Sequence, residues 1–247
     1  MAEKMRAGQM HGVNDMRCVE TPIPPIGDDQ ILVRTAMASI CGSDLHVVCH
    51  GAGIGYPLPC PHGYPGHEGI GEVVASNHPD VIEGTRVLCF PFAGGSEGFS
   101  EYQRMHGKYV LPLPETDVSE PELLMAQQLG TIIFAARGRP VDVFGRTVLV
   151  LGQGSAGLFW TYWMKYNGAA KVIAVDLSDA RLAVATSMGA DVTLNAGEVD
   201  VAEAVRELTG PGPDYLIEAV GRRETLFQSI ELVRPDGDLM WFGLPDT

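Results

Sequence analysis

The sequence predicts an α/β protein in two parts, an irregular, mainly β segment followed by an open, doubly wound parallel sheet. Three observations predict it. Up to about residue 115, short apolar runs are separated by Gly and Pro. From Arg146 onward, short apolar runs alternate with amphipathic stretches of helical length, the rhythm of parallel βαβ units. The chain has 247 residues and 45% hydrophobic content, enough for sizeable cores.

In the first part, Gln30–Ala36, Gly69–Ala75 and Thr85–Phe90 read as strands. Pro22, Pro24, Pro25, Pro57, Pro59, Pro61 and Pro65 punctuate them. Residues 121–136 open on Pro and have helical length, so they predict a connecting helix. Strands follow at Thr147–Leu151, Lys171–Val175, Asp191–Leu194, Tyr215–Ala219 and Asp238–Gly243. Helices alternate with them at Leu158–Tyr166, Ser178–Met188, Val201–Leu208 and Glu224–Val233. Ser178 suits an N-cap and Gly189 a helix stop. The expected domains are 1–140, including the connecting helix, and 141–247.

Charge and cysteine use exclude several classes. Lys and Arg number 17 against 31 Asp and Glu, a net charge of −14. Nucleic acids and anionic membranes both call for clustered cations, so neither is an expected partner. The longest apolar stretch, Val148–Met164, is interrupted by Gly152, Gln153, Gly154, Ser155 and Gly157 and does not read as a membrane span. No apolar export signal opens the chain. The five cysteines are odd in number in a large chain without an export signal, which points to a reducing cytoplasm without a disulfide framework, and the lack of a close C-x-x-C pair argues against a zinc knuckle or ribbon.

The sharpest motif is Gly152-Gln-Gly154-Ser155-Ala156-Gly157, a G-x-G-x-x-G directly after a strand and opening a helix. Gly152 permits the tight turn, Gly154 lets the backbone approach a pyrophosphate, and Gly157 lets helix and strand pack closely. The helix opening at Ser155 and Ala156 presents free N–H groups to phosphate. Asp176 lies 19 residues beyond Gly157, at the end of the next strand. A carboxylate there suits adenosine ribose hydroxyls and repels a 2′-phosphate, so NAD is favoured over NADP. Arg181 stands either beside the same ribose or on a solvated helix face.

A second concentration of chemistry precedes it. Cys41, Cys49 and Cys60 fall with His46, His50, His62 and His67 between residues 41 and 67, and zinc prefers these side chains. Cys41-Gly-Ser-Asp-Leu-His46 and Gly66-His-Glu-Gly-Ile-Gly-Glu-Val73, taken with the dinucleotide fingerprint, resemble the zinc-dependent alcohol dehydrogenases of the medium-chain dehydrogenase/reductase superfamily. The sorbitol and threonine dehydrogenase branches are most alike. The resemblance implies a GroES-like catalytic domain followed by a Rossmann domain, with the active site in the cleft between them. It implies one catalytic zinc on Cys41 and His67, acting as a Lewis acid in hydride transfer from an alcohol to NAD. Ser43 matches the hydroxyl that bonds the substrate oxygen, and His46 the relay that passes its proton to solvent. Asp44 matches a carboxylate that orients the zinc histidine. Glu68 matches an acid beside the metal that supports the ligands from behind in some branches and is a direct ligand in others. His50, His62, Cys49 and Cys60 match no role and read as loop residues.

Two departures stand out. Where many relatives carry a four-cysteine lobe for structural zinc, this chain runs from Phe92 to Tyr102 without cysteine, so no structural zinc is expected. Where the third catalytic ligand normally lies on the connecting helix, the chain has Gln127 and Thr131, both poor zinc ligands. Zinc is then expected on Cys41, His67 and Glu68. The resemblance also implies a six-stranded sheet, of which five strands are counted, and about a hundred further residues. The apolar run Leu239–Phe242 reads as a strand buried on both faces. Left at an edge it calls for a partner chain, so a homo-oligomer is one expectation and a cut chain the other. The leading reading is an NAD-dependent oxidoreductase acting on a secondary alcohol or polyol, with a small-molecule alcohol or ketone as partner. A zinc-free quinone or enone reductase and an inactive dinucleotide-binding module are the alternatives.

Overall fold

The computed structural model describes residues 3–51, 53–91 and 97–245. Chain contacts divide it into two compact units, Met1–Gln127 and Gln128–Thr247. The sequence places this division at 140/141, after the connecting helix; the contacts place it within that helix.

The first unit opens with an antiparallel hairpin of β1 (Lys4–Gly12) and β2 (Asp15–Pro22). Asn14 closes it with φ of 58°, a left-handed conformation that Asn tolerates. Next come β3 (Gln30–Ala38), helix α1 (Gly42–His50), β4 (Gly69–Ser76), β5 (Arg86–Cys89) and β6 (Tyr102–His106). A 3-10 turn at Gly107–Tyr109 leads into β7 (Val110–Pro112). These strands form an antiparallel sheet in the order β6-β3-β4-β5-β7. Ile31 and Val33 on β3, Val73 on β4, Val87 and Cys89 on β5 and Met105 on β6 meet in its core. The register of β3 against β4 ends at Ala38 opposite Gly69. The residues that leave the ladder there are therefore neighbours.

Helix α2 (Glu120–Gly138) is longer than the expected 121–136. The Ser119 hydroxyl and N–H both donate to Glu122 Oε2, at 2.6 and 3.2 Å, and Pro121 lies in the first turn, where its missing N–H costs nothing.

The second unit follows the predicted alternation. Its elements are β8 (Thr147–Leu151), α3 (Ser155–Tyr166), β9 (Lys171–Asp176), α4 (Asp179–Ser187), β10 (Val192–Asn195), α5 (Val201–Thr209), β11 (Tyr215–Glu218), α6 (Arg223–Leu232) and β12 (Asp238–Trp241). All pairings are parallel, in the order β10-β9-β8-β11-β12. Residue alternation divides the core between the two faces. Val148, Val150 and Ile217 pack with Trp160 and Met164 of α3, while Leu149, Leu151 and Leu216 pack with Val201 and Val205 of α5.

Three local expectations change. Ser178 holds the N-cap position of α4 but makes no side-chain cap bond; its N–H donates to Asp176 Oδ1 at 2.9 Å. The final strand is not buried on both faces: β12 is the sheet edge and Trp241 is 54% exposed. Cys49 and His50 are not loop residues but lie on α1. All five cysteines are free thiols. Among the described residues, no helix is long and apolar enough to cross a membrane. Residues 92–96, within the stretch where a structural-zinc lobe was sought, lie outside the described residues.

Candidate active site

The β3–β4 register builds a candidate metal site within the first unit. Just beyond Ala38 the chain runs through Ser39 to Cys41; just before Gly69 it runs back through Glu68 to His67. Residues 26 apart in sequence thus converge at one end of the ladder, and the ligand atoms of Cys41, His67 and Glu68 lie within 4.8 Å of one another. That is the span of one zinc coordination sphere, about 4 to 5 Å across. A thiolate, an imidazole and a carboxylate make a donor set that zinc accepts. Among the described residues, this is the cluster of three or more such groups that fits a metal ion. The residues present therefore fit the group.

Asp44 organises two of the three. It lies in the first turn of α1 and is 2% exposed. Its Oδ2 accepts the Cys41 N–H at 2.9 Å, and Asp44 N–H donates to Cys41 O at 3.1 Å, which starts the helix on Cys41. Its Oδ1 lies 3.0 Å from His67 Nδ1. One carboxylate thus fixes the turn that presents the thiol and the ring that presents Nε2. A carboxylate behind a histidine sets its tautomer and strengthens it as a metal ligand. Asp44, then the Cys41 sulfur, raise His67 to about 11 against the opposing effect of burial. A metal entering here displaces a proton, as imidazole ligation requires.

Ser43 and His46 both lie on α1, three residues apart and so on adjoining positions of the helix surface. The His46 and His50 rings are 5.9 Å apart, centre to centre. The structure brings Cys60 and His62 into other roles: Cys60 is buried, and His62 Nδ1 is 3.3 Å from the Thr21 hydroxyl. Gln127 and Thr131 lie on α2, Thr131 exposed.

The second unit carries its own candidate site, at the carboxyl ends of the parallel strands. Gly152 has φ of 85°, which its lack of a side chain permits. A Cβ on Gly157 would stand 1.8 Å from Gly152 O, so helix α3 can seat on this turn only with glycine there. Gly154 is the converse: a Cβ there would meet nothing within 4 Å. Packing within the fold therefore does not require glycine at this position. Gly154 occupies the N-cap of α3 and makes no side-chain cap bond, and the first N–H groups of a helix have no partner within the helix.

Asp176 ties this turn to β9. Its Oδ2 accepts the Gln153 N–H at 2.7 Å and its Oδ1 the Ser178 N–H. Arg181 Nη1 stands 3.7 Å away with its side chain mostly exposed. Sequence reasoning passed over Gln153. It is wholly buried, donating to Val150 O at 3.2 Å and accepting from the Thr161 hydroxyl of α3 at 3.0 Å. Glu218 was also missed. This fully buried carboxylate at the end of β11 accepts from Val220 N–H, Gly221 N–H and the Thr225 hydroxyl at 2.9, 3.0 and 2.7 Å. It shapes the Ala219–Val220 turn that packs on Gly152. The only sequence signal for it is a charge at the end of an apolar strand.

Residues 27–115 match the family model for the alcohol dehydrogenase GroES-like domain, and residues 156–247 match that for zinc-binding dehydrogenases. Human sorbitol dehydrogenase is 30% identical over 268 residues, which cover 95% of this chain and 73% of the human protein. The chain belongs to the zinc-dependent alcohol dehydrogenase family. Solved relatives agree. An alcohol dehydrogenase from Thermus sp. superposes with a TM-score of 0.84 at 27% identity, covering 98% of this chain and 78% of the other. A zinc-binding dehydrogenase from Sinorhizobium meliloti, solved with NADP, superposes with a TM-score of 0.87 at 25% identity, covering 99% and 78%. As a member of this family, the dehydrogenase is an oxidoreductase that pairs a GroES-like sheet with a Rossmann sheet and uses zinc and a nicotinamide dinucleotide.

Proposed function

We propose that this dehydrogenase oxidises a secondary alcohol or polyol to the ketone with NAD, using one zinc held by Cys41, His67 and Glu68. The observation that carries the reading is the convergence of those three donors within 4.8 Å over the buried Asp44. When bound, zinc supplies Lewis-acid polarisation of the alcohol oxygen. The chain's own residues do the rest. Cys41 and Glu68 bring negative charge to the site and His67 a neutral nitrogen. Asp44 keeps the ring and the thiol turn in place. The Ser43 hydroxyl would take the alcohol proton as it gives up its own, His46 would pass that proton outward, and a bound nicotinamide would supply the hydride acceptor. Gly154 and the first turn of α3 take the pyrophosphate, and Asp176 the adenosine ribose. The expected setting is a reducing cytoplasm, which five free thiols suit.

Zinc analysis and alcohol-dependent NADH formation across a panel of secondary alcohols and polyols test this reading. The expected result is one zinc per chain and turnover that a chelator removes. Chelator-resistant reduction of enones or quinones, or tight NADH binding with no turnover, would overturn it.

Coenzyme choice gives a second expectation. Asp176→Asn removes the charge that disfavours a 2′-phosphate. The ratio of kcat/KM for NADP to that for NAD should rise about tenfold or more, equivalent to about 1.4 kcal/mol of repulsion removed. An unchanged ratio would show that Asp176 does not read the ribose.

A further inference from the structure

Glu68 is 2% exposed, and a buried polar side chain calls for hydrogen-bond partners. The end of the β3–β4 ladder supplies them. Because Ala38 is paired with Gly69, Ser39 and Glu68 form the next rung, and Ser39 N–H donates to Glu68 O at 3.3 Å. On that rung the Ser39 hydroxyl donates to Glu68 Oε2. Ser39 therefore grips Glu68 through both main chain and side chain.

We infer that Ser39 is a positioning residue that holds the Glu68 carboxylate as the third protein donor to the metal. The inference rests on the proposed zinc site and deepens it. Two further observations support it. The helix residues Gln127 and Thr131 offer only neutral oxygen and nitrogen, so an anionic third donor has to come from elsewhere, and Glu68 is the acid grouped with Cys41 and His67. The other two donors are already held from behind by Asp44. Ser39 gives Glu68 the same treatment, with a hydroxyl in place of the carboxylate because this ligand is itself the acid. A carboxylate has about four lone-pair sites, of which the Ser39 hydroxyl takes one. Without that donor the side chain regains rotational freedom and loses part of its compensation for burial.

The test is metal affinity of the full chain, measured by chelator competition with zinc and by the visible spectrum of the cobalt-substituted protein. Ser39→Ala is expected to weaken zinc about 10- to 100-fold, the usual effect of removing a group that orients a ligand. Glu68→Gln is expected to weaken it at least as much and to change the cobalt spectrum. The double variant should be no weaker than Glu68→Gln alone, since Ser39 acts only through Glu68. Ser39→Thr, which keeps the hydroxyl, should restore most of the affinity. Should Ser39→Ala fold poorly, Ser39→Cys, a weak donor of similar size, replaces it with the same expected loss. Full zinc affinity in Ser39→Ala alongside a loss in Glu68→Gln would overturn the inference and leave the metal site standing. Unchanged affinity and spectrum in Glu68→Gln, with both lost in Cys41→Ser, would overturn it by excluding Glu68 as a donor. Failure of the wild-type chain to take up zinc or cobalt would overturn the metal reading itself, and this inference with it.

Discussion

Cys41→Ser is expected to strip the enzyme of zinc and to lower alcohol oxidation by at least about 10³-fold, some 4 kcal/mol of lost transition-state stabilisation. The size follows from how the site is assembled. Only Cys41 supplies a soft anionic donor, and serine at pH 7 supplies a neutral hydroxyl on the same turn. The change leaves the Asp44 bonds to the Cys41 backbone intact, because these run through N–H and C=O. Folding should therefore survive, and NADH binding by the second unit with it. Asp44→Asn is the informative companion. It keeps an acceptor for the Cys41 N–H but removes the charge facing His67 Nδ1 at 3.0 Å. Metal affinity should fall by about 10- to 100-fold, less than for loss of the thiolate. Zinc analysis and steady-state rates measure both, and a zinc-replete, active Cys41→Ser would refute the assignment of the donor.

Gly157→Ala is expected to damage both the second unit and its ligand binding, whereas Gly154→Ala should damage binding alone. The added methyl at Gly157 would lie 1.8 Å from Gly152 O and 2.8 Å from Gly152 C. Both are backbone atoms of a turn held at φ 85°, with no flexible side chain to move aside. Overpacking of this kind costs about 1–3 kcal/mol, a fall in Tm of about 2–12 °C for a chain of this size. The distorted turn should also lose NADH affinity by about 100-fold or more, because the N–H groups that face the pyrophosphate move with it. At Gly154 the methyl meets no protein atom within 4 Å. Tm should stay put while NADH affinity falls about tenfold, since the methyl takes space meant for phosphate. Unaltered NADH binding in Gly154→Ala would show that the pyrophosphate does not lie over this turn.

The two halves of the protein were unequally legible, for physical reasons. In the second unit the inner residues of the central strands β8, β9 and β11 are apolar in succession because both of their faces are buried, and glycine marks the turns. Thr147–Leu151 emerges with its predicted bounds. The hairpin of β1 and β2 left no clear pattern because β2 is largely exposed along its length, and its alternation never shows. Helix α1 was invisible because it buries one charged residue, Asp44, instead of an apolar stripe. Cys41, His67 and Glu68 were legible as residue types in recognisable surroundings. Ser39 and Glu218 were not. Each matters through one buried hydrogen bond or a few, set by register and turn geometry, and a single sequence does not encode which strands will be neighbours.

The pairing of Ala38 with Gly69 also says how this site can change over evolutionary time. Ser39 and Glu68 are 29 residues apart, yet they are adjacent only because two strands end together. Chain inserted or deleted in the intervening segment, far from the ladder, leaves that adjacency untouched. The segment between α1 and His67 can thus change in length without disturbing that rung. A single-residue slip within β3 or β4 reverses the direction of every side chain beyond it and would turn the thiol or the acid away from the metal. The same chain therefore combines a stretch open to innovation with a few rungs in which almost no length change is tolerated.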